Sequence, residues 1–169
     1  PAFGLTERIM RGEWQENPYT PQAQVKLVLG LMDALDIDKA TLVGHSAGGG
    51  IATQMALEYP ERIEGLVLVN AAILQGGGAP AWAKPLLYTP QMNRMGPVIM
   101  RQFAGEPGLN FIKSAWSNPE RVTEATIQGY QKPLQANNWD KALWELTKAS
   151  RWVRLEFQLS SLKVPTLII

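Results

Sequence analysis

The stretch ATLVGHSAGGG, residues 40–50, decides how this chain folds. Its first four residues form a short apolar run bounded by Gly44, which is typical of a buried β-strand. The segment GHSAG, residues 44–48, matches the pattern G-x-S-x-G, in which a serine occupies a sharp turn between a strand and a helix. An amphipathic helix is predicted directly after Ser46 and is stopped by Pro60.

The turn at Ser46 explains why these residue types are needed. A strained strand-to-helix turn lifts the serine hydroxyl above the ends of parallel strands, where open α/β sheets place their ligands. Flanking glycines let the neighbouring chain pass without Cβ clashes. The N–H of Ala47 lies at the start of a helix, where it can help to hold an oxyanion. We therefore expect Ser46 to be catalytic and Ala47 to contribute a backbone N–H to the oxyanion hole.

Two other glycine-loop motifs do not fit the same segment. A dinucleotide fingerprint needs G-x-G-x-x-G, but Ser46 stands at the second glycine position. A phosphate loop beginning at Gly44 would need lysine where Gly50 stands. Neither nucleotide-binding motif is therefore present.

The chain around the turn predicts a parallel sheet. Thr20 and Pro21 are typical of a helix start, and an apolar stripe follows them through Val25 to Leu35. A second buried strand is predicted at residues 66–69 and a third at 164–169. Strands separated by helices favour parallel pairing with right-handed crossovers, which is the α/β class.

A long insertion separates the second and third predicted strands. A crossover needs only about a dozen residues, far fewer than lie between Asn70 and Val164. Three helices are predicted in it. The first carries the stripe Met92, Met95, Ile99 and Phe103; the second runs from Asn118 toward Gly129; and the third carries Trp139, Ala142, Leu143 and Leu146 behind Asn138 as a cap.

Four ordered segments resemble the α/β-hydrolase superfamily. PAFG, residues 1–4, resembles the family's P-G-F-G loop, with Ala2 in place of the usual glycine. GHSAGG, residues 44–49, resembles the family's nucleophile elbow. YPERI (59–63) resembles its Y-P-x-R-V segment, and VPTL (164–167) resembles its seventh-strand V-P-T-L. The resemblance implies a partial α/β-hydrolase fold, with parallel strands, crossover helices and a helical cap inserted after the sixth core strand. It divides the chain into a core at 1–72, a cap at 73–155 and a return to the core at 156–169.

The resemblance also implies acyl chemistry, because relatives that open epoxides or remove halide carry aspartate where this chain has Ser46. The expected reaction is hydrolysis of a small apolar ester or thioester, or cleavage of an activated C–C bond, through an acyl-enzyme at Ser46. His45 is part of the elbow in this family and is not the base. The acid is expected just after Ile169, the histidine further on and a second oxyanion donor before Pro1. The chain is thus expected to be an internal fragment, inactive by itself.

Two alternatives stay open on the same scaffold. One is a cofactor-free acyltransferase or perhydrolase, and the other is a non-catalytic ligand-binding relative that kept the elbow.

The amino-acid composition argues against several classes of binding partner. Lys+Arg number 16 and Asp+Glu 15, with no basic block, so no nucleic-acid partner is expected. Cysteine is absent, which is compatible with a cytoplasmic location and excludes thiolate metal sites. No apolar run approaches the length of a membrane span. No cofactor is expected, a small apolar ester-like molecule is the expected substrate, and the oligomeric state stays open.

Candidate substrate contacts complete the prediction. Large apolar side chains of the insert could line a pocket under the cap, although a small helical cap also needs such side chains for its own core. The candidate contacts are His45, Trp82, Met92 and Trp139. Asp36, Asp38, Asp140 and Glu145 are expected to be solvated helix-end charges.

Overall fold

The computed structural model describes residues 1–73, 81–149 and 155–169. The chain divides into two compact units, each of which combines two segments. The strand unit comprises Thr20–Gly78 and Ser150–Ile169, and the helical unit comprises Pro1–Tyr19 and Ala79–Ala149.

The strand unit confirms the predicted α/β class. Within its described residues, three parallel strands form one sheet in the order β1-β2-β3. The elements are α1 (Pro21–Ala34), β1 (Ala40–His45), α2 (Ala47–Glu58), β2 (Ile63–Val69) and β3 (Thr166–Ile168). The third strand therefore joins the same sheet as the first two, although the long insertion precedes it.

Helix α1 begins where its sequence predicts. The Thr20 side chain accepts a hydrogen bond from the N–H of Ala23 at 3.2 Å, and Pro21 occupies the first turn. Val25 and Met32 are buried, because the apolar stripe faces the core. Leu35 lies past the end of the helix and is exposed, so the predicted stripe ends before it.

One hydrophobic cluster holds α1, α2 and β2 together. Its buried members are Val25, Met32, Ala52, Met55, Ala56, Ile63, Leu66 and Leu68. Arg62, in the short turn before β2, fixes the same elements from outside. Its guanidinium donates to the carbonyl oxygens of Asp38 and Ile37 at 2.7 and 3.0 Å and to the Asp33 carboxylate at 2.8 Å. The arginine of the YPERI segment thus ties the start of β2 to the end of α1.

The helical unit is built from short helices. They are α3 (Lys84–Leu87), α4 (Pro90–Arg101), α5 (Glu106–Ser114), α6 (Glu124–Gln131) and α7 (Trp139–Ala149). The helix predicted from Asn118 toward Gly129 is instead a short 3₁₀ turn, Pro119–Arg121, followed by α6. Thr123 adopts an extended conformation and caps α6, which separates the two pieces.

The predicted apolar stripe of α4 is wrong in part. Met95 and Phe103 are exposed, whereas Gly96 and Met100 are the buried positions. A Cβ at Gly96 would overlap the indole ring of Trp144, so the ring of this buried tryptophan packs directly on the helix backbone. The hydrophobicity pattern could not reveal this face because its central residue has no side chain.

Residues 1–19 pack with the insertion. Ala2, Tyr19, Ala142 and Ala149 form one buried cluster, with Met10, Trp14 and Leu146 packed against it. The first 19 residues therefore group with the helical unit, whereas the sequence-based division placed them in the core. The functional boundaries 1–72, 73–155 and 156–169 stay a prediction, and the boundary segments 74–80 and 150–154 lie outside the described residues.

Across the described ranges, no helix is both long enough and apolar enough to span a bilayer.

Candidate active site

Ser46 occupies a strained turn between β1 and α2. Its backbone has φ 50° and ψ −122°, a conformation that costs a non-glycine residue about 1–3 kcal/mol. The residue is exposed, and its hydroxyl makes no capping hydrogen bond to α2. A hydroxyl that does not cap its own helix remains free to act on a ligand.

Three backbone hydrogen bonds hold this conformation. The N–H of Ser46 donates to the carbonyl oxygen of Val69 at 3.1 Å, which links the turn to the end of β2. The carbonyl oxygen of Ser46 accepts from the N–H groups of Gly49 at 3.0 Å and Ala72 at 2.9 Å. The segment after β2 therefore supports the serine turn directly.

Gly44 and Gly49 make the turn possible because neighbouring chain segments pack where their Cβ atoms would lie. A Cβ at Gly44 would lie 2.6 Å from the Cα of Gly49, and a Cβ at Gly49 would overlap the Cβ of Ala71. In contrast, a Cβ at Gly48 would meet nothing within 4 Å. The glycine that the five-residue pattern names at 48 is thus sterically free, while Gly49 is required.

The first turn of α2 supplies hydrogen-bond donors. Ala47 and Gly48 are its first two residues, both exposed, and the N–H groups at a helix start have no acceptor within the helix. The partial positive charge of the helix start adds to their attraction for an anion. The arrangement can hold an oxyanion beside Ser46. The sequence predicts Ala47 as a donor, and the start of α2 adds the N–H of Gly48 as a second candidate.

The carboxyl ends of the three described strands lie side by side. His45 is paired with Val69 across β1 and β2, and Leu68 with Ile168 across β2 and β3. Beyond these pairs, the N–H of Asn70 donates to the carbonyl oxygen of Ile169 at 2.9 Å. Ser46 therefore lies at the sheet edge where open α/β sheets bind ligands.

The candidate substrate contacts are distributed over both units. His45 is an exposed residue at the end of β1 in the strand unit. Trp82 (81% exposed), Met92 and Trp139, both half-buried, belong to the helical unit. Their role as substrate contacts stays a prediction.

Two carboxylates expected to be solvated are not. Asp140 is 6% exposed and forms an ion pair with Arg101 at 2.6 Å, while Glu145 pairs with the buried Lys148 at 2.6 Å. Helix α7 packs on more than one face, so positions that look peripheral in sequence lie inside the unit. Burial lowers the pKa of Lys148, and the hydrogen bond that Lys148 donates to the Glu145 carboxylate opposes that shift.

In the part of the chain that the structure describes, no three His, Cys, Asp or Glu side chains are grouped so that they could hold a metal ion.

The chain is similar to a known protein family over most of its length. Residues 1–151 match the family model described as alpha/beta hydrolase fold. The chain belongs to this family. The serine turn at the carboxyl edge of a parallel sheet is the arrangement on which α/β-hydrolases are built.

Several curated relatives are hydrolases by name. The chain is 35% identical over 141 residues to 2-hydroxy-6-oxo-6-phenylhexa-2,4-dienoate hydrolase of Burkholderia cepacia, covering 81% of this chain and 44% of that protein. It is 40% identical over 71 residues to 2-hydroxymuconate semialdehyde hydrolase of Pseudomonas sp. strain CF600, covering 42% and 23%. The chain thus spans less than half the length of either α/β-hydrolase.

Solved structures agree on the fold. A hydrolase from Pseudomonas aeruginosa matches with a TM-score of 0.55 and 26% identity, over 89% of this chain and 53% of that one. A meta-cleavage product hydrolase from Pseudomonas fluorescens matches with a TM-score of 0.58 and 24% identity, over 99% and 57%. The latter likeness concerns the α/β-hydrolase fold alone.

Proposed function

We propose that this chain carries the nucleophile segment of a serine hydrolase, which acts on a small apolar ester, thioester or activated C–C substrate through an acyl-enzyme at Ser46. One observation carries the proposal. Ser46 is exposed at φ 50°, at the carboxyl edge of the sheet, with its hydroxyl uncommitted to the helix that follows.

The chemistry follows from the atoms around the turn. The Oγ of Ser46 attacks the substrate carbonyl carbon and gives its proton to a general base, and the carbonyl oxygen becomes an oxyanion. The N–H groups of Ala47 and Gly48 stabilise that oxyanion. The tetrahedral intermediate collapses, the leaving group departs with a proton, and an acyl-serine remains. Water then attacks the acyl carbon, the acid is released, and the hydroxyl of Ser46 is restored.

The general base comes from outside these 169 residues in this proposal. The sequence has one histidine, His45, which directly precedes Ser46 as the last residue of β1. A base must approach the serine Oγ to about 2.6–3.2 Å, and neighbours on either side of so sharp a turn point apart. We expect the acid just after Ile169, beyond the strand that contains Ile168, as the resemblance to the family implies.

The names of the relatives favour a substrate class. The two curated relatives cleave, by name, a 2-hydroxy-6-oxodienoate and a 2-hydroxymuconate semialdehyde. Cleavage of a C–C bond beside a ketone is therefore our first choice among the three reactions. In this proposal the cap predicted at 73–155 sets specificity and excludes water, and His45, Trp82, Met92 and Trp139 are candidate substrate contacts.

Steady-state hydrolysis tests the proposal. We expect the full-length protein, which in this proposal supplies the general base, to hydrolyse p-nitrophenyl butyrate or to cleave 2-hydroxy-6-oxo-6-phenylhexa-2,4-dienoate. Ser46→Ala should lower kcat by roughly 10³-fold or more, because loss of a nucleophile removes the covalent route. The matched control is Ser160→Ala, which changes an exposed serine in another turn of the strand unit and should leave kcat unchanged.

Product analysis separates the alternatives. Transfer of the acyl group to added alcohol or peroxide in preference to water would identify a transferase or perhydrolase. Ligand binding without turnover, unaffected by Ser46→Ala, would contradict the proposal and favour the binding-protein alternative.

A further inference from the structure

A groove in the helical unit lies between α4, α7 and the segment at Met10 and Arg11. Its volume is about 510 Å³, which is in the range of small-molecule sites. The lining residues are Met10, Arg11, Asn93, Arg94, Pro97, Val98, Arg101, Lys141, Trp144 and Glu145. The groove contains no residue of the serine turn.

The charge of this groove is strongly one-sided. Four of its lining residues are cationic and only Glu145 is anionic. Glu145 is already engaged, because Lys148 donates to its carboxylate at 2.6 Å from behind the groove. The whole chain has a formal net charge of only +1, so the excess of positive charge is local.

Three of the four cations, Arg94, Arg101 and Lys141, remain available to a ligand, whereas Arg11 pairs with Glu145 at 3.9 Å. Arg94 is exposed and forms no ion pair or hydrogen bond with the described residues. Arg101 uses its Nε to pair with Asp140, which orients the guanidinium and leaves its two Nη groups for other acceptors. Lys141 is exposed, with one contact from its Nζ to the Asn138 side chain at 3.1 Å.

The floor of the groove is apolar and rigid. Pro97 and Val98 contribute it from α4, and the buried indole of Trp144 contributes it from α7. The Trp144 ring is fixed by its contact with Gly96 and by donation of its Nε1–H to the Asn93 side chain at 3.3 Å. An apolar floor with guanidinium groups at its rim suits a ligand with a hydrophobic body and a planar anionic head.

We propose that this groove binds an apolar carboxylate, an aromatic or aliphatic acid whose body lies on Trp144 and Val98 and whose carboxylate is held by Arg94, Arg101 and Lys141. The proposal does not depend on the chemistry at Ser46. It holds a carboxylic acid as a ligand, whatever reaction the serine performs.

Calorimetric titration of the protein with 4-phenylbutyrate tests the site. We expect saturable binding, at least 10-fold weaker binding of the neutral 4-phenylbutyramide, and weakening when NaCl rises from 50 to 500 mM. The double variant Arg94→Gln/Lys141→Gln should weaken binding of the acid at least 10-fold. It should not disturb the fold, since both side chains are exposed.

A control variant and a second probe complete the test. Arg121→Gln removes an exposed arginine outside the groove and should leave binding unchanged. Inorganic phosphate should bind more weakly than 4-phenylbutyrate, because it makes no use of the apolar floor. Equal binding of the amide, equal binding of phosphate, or no effect of the double variant would each overturn the proposal.

Discussion

The N–H of Ala72 donates a hydrogen bond to the carbonyl oxygen of Ser46 at 2.9 Å. Ala72 follows β2, so the residue with the most strained backbone at the candidate site is fixed by a segment distant in sequence. Gly49 donates to the same carbonyl from within α2. The turn is thereby held from two sides, which explains how a serine persists at φ 50°.

Replacing Ser46 should reveal the strain. Glycine adopts positive φ readily, whereas alanine carries the same Cβ as serine. We expect Ser46→Gly to be more stable than Ser46→Ala by about 1 kcal/mol, and both variants to be inactive. Urea unfolding of the two variants measures the difference. A Ser46→Ala protein as stable as Ser46→Gly would show that the turn is relaxed.

Replacement of Gly48 and of Gly49 by alanine should have different effects on stability. Gly49→Ala places a methyl group against Ala71 and should destabilise the protein by about 1–3 kcal/mol. Gly48→Ala, one residue earlier in the same helix, enters open space and should be tolerated. Denaturation midpoints of the pair provide the comparison. Equal losses for both variants would contradict the packing described for the elbow.

Gly96 tests the packing of the helical unit. A methyl group there would overlap the Trp144 ring, so Gly96→Ala should cost about 1–3 kcal/mol even though alanine favours helices. Gly129→Ala is the matched control, because Gly129 is exposed in α6 with open space around it. The control should stabilise by roughly 0.5–1 kcal/mol. Thermal unfolding of both variants measures these changes in stability. A Gly96→Ala protein as stable as the wild type would contradict the close packing of Trp144 on Gly96.

Lys148 should make stability depend on pH. Burial lowers its pKa below 10.5, so between the lowered pKa and 10.5 the unfolded chain binds the proton that the folded chain has lost. Stability of the wild type relative to Lys148→Met should therefore rise with pH toward 10.5. Urea unfolding of both proteins at pH 7.5, 9 and 10 measures this difference.

The comparison with Lys148→Met cancels other alkaline titrations. Burial raises the pKa of Tyr19, which makes folding less favourable as pH passes 10, but that residue is present in both proteins. A stability difference that stays flat or falls with pH would mean that Glu145 outweighs burial at Lys148.

The strand unit was largely predictable from sequence because local signals and fold agree there. The Thr20 cap and the apolar runs that become β1 and β2 each match the structure. The serine turn followed from a pattern whose geometry is dictated by sterics. The requirement at Gly49 was not predictable from the pattern, since it depends on Ala71 from another element.

The helical unit was less predictable because its contacts are not local. The buried face of α4 contains Gly96, which has no hydrophobic side chain to reveal it. Asp140 and Glu145 resemble surface charges in sequence, and only their pairing with Arg101 and Lys148 shows that they are partly or fully buried. The ion pair between Arg101 and Asp140 joins α4 to α7, and a pair between separate elements leaves no periodic trace in the sequence.

Trapping the acyl-enzyme tests the central claim most directly. The full-length protein, which in this proposal supplies the general base, is mixed with p-nitrophenyl butyrate, quenched in acid within seconds, and examined by intact mass and peptide mapping. The account predicts a butyryl adduct on the peptide that contains Ser46 and no adduct in Ser46→Ala. Turnover of the ester with no adduct on Ser46, or with an undiminished rate in Ser46→Ala, would contradict it.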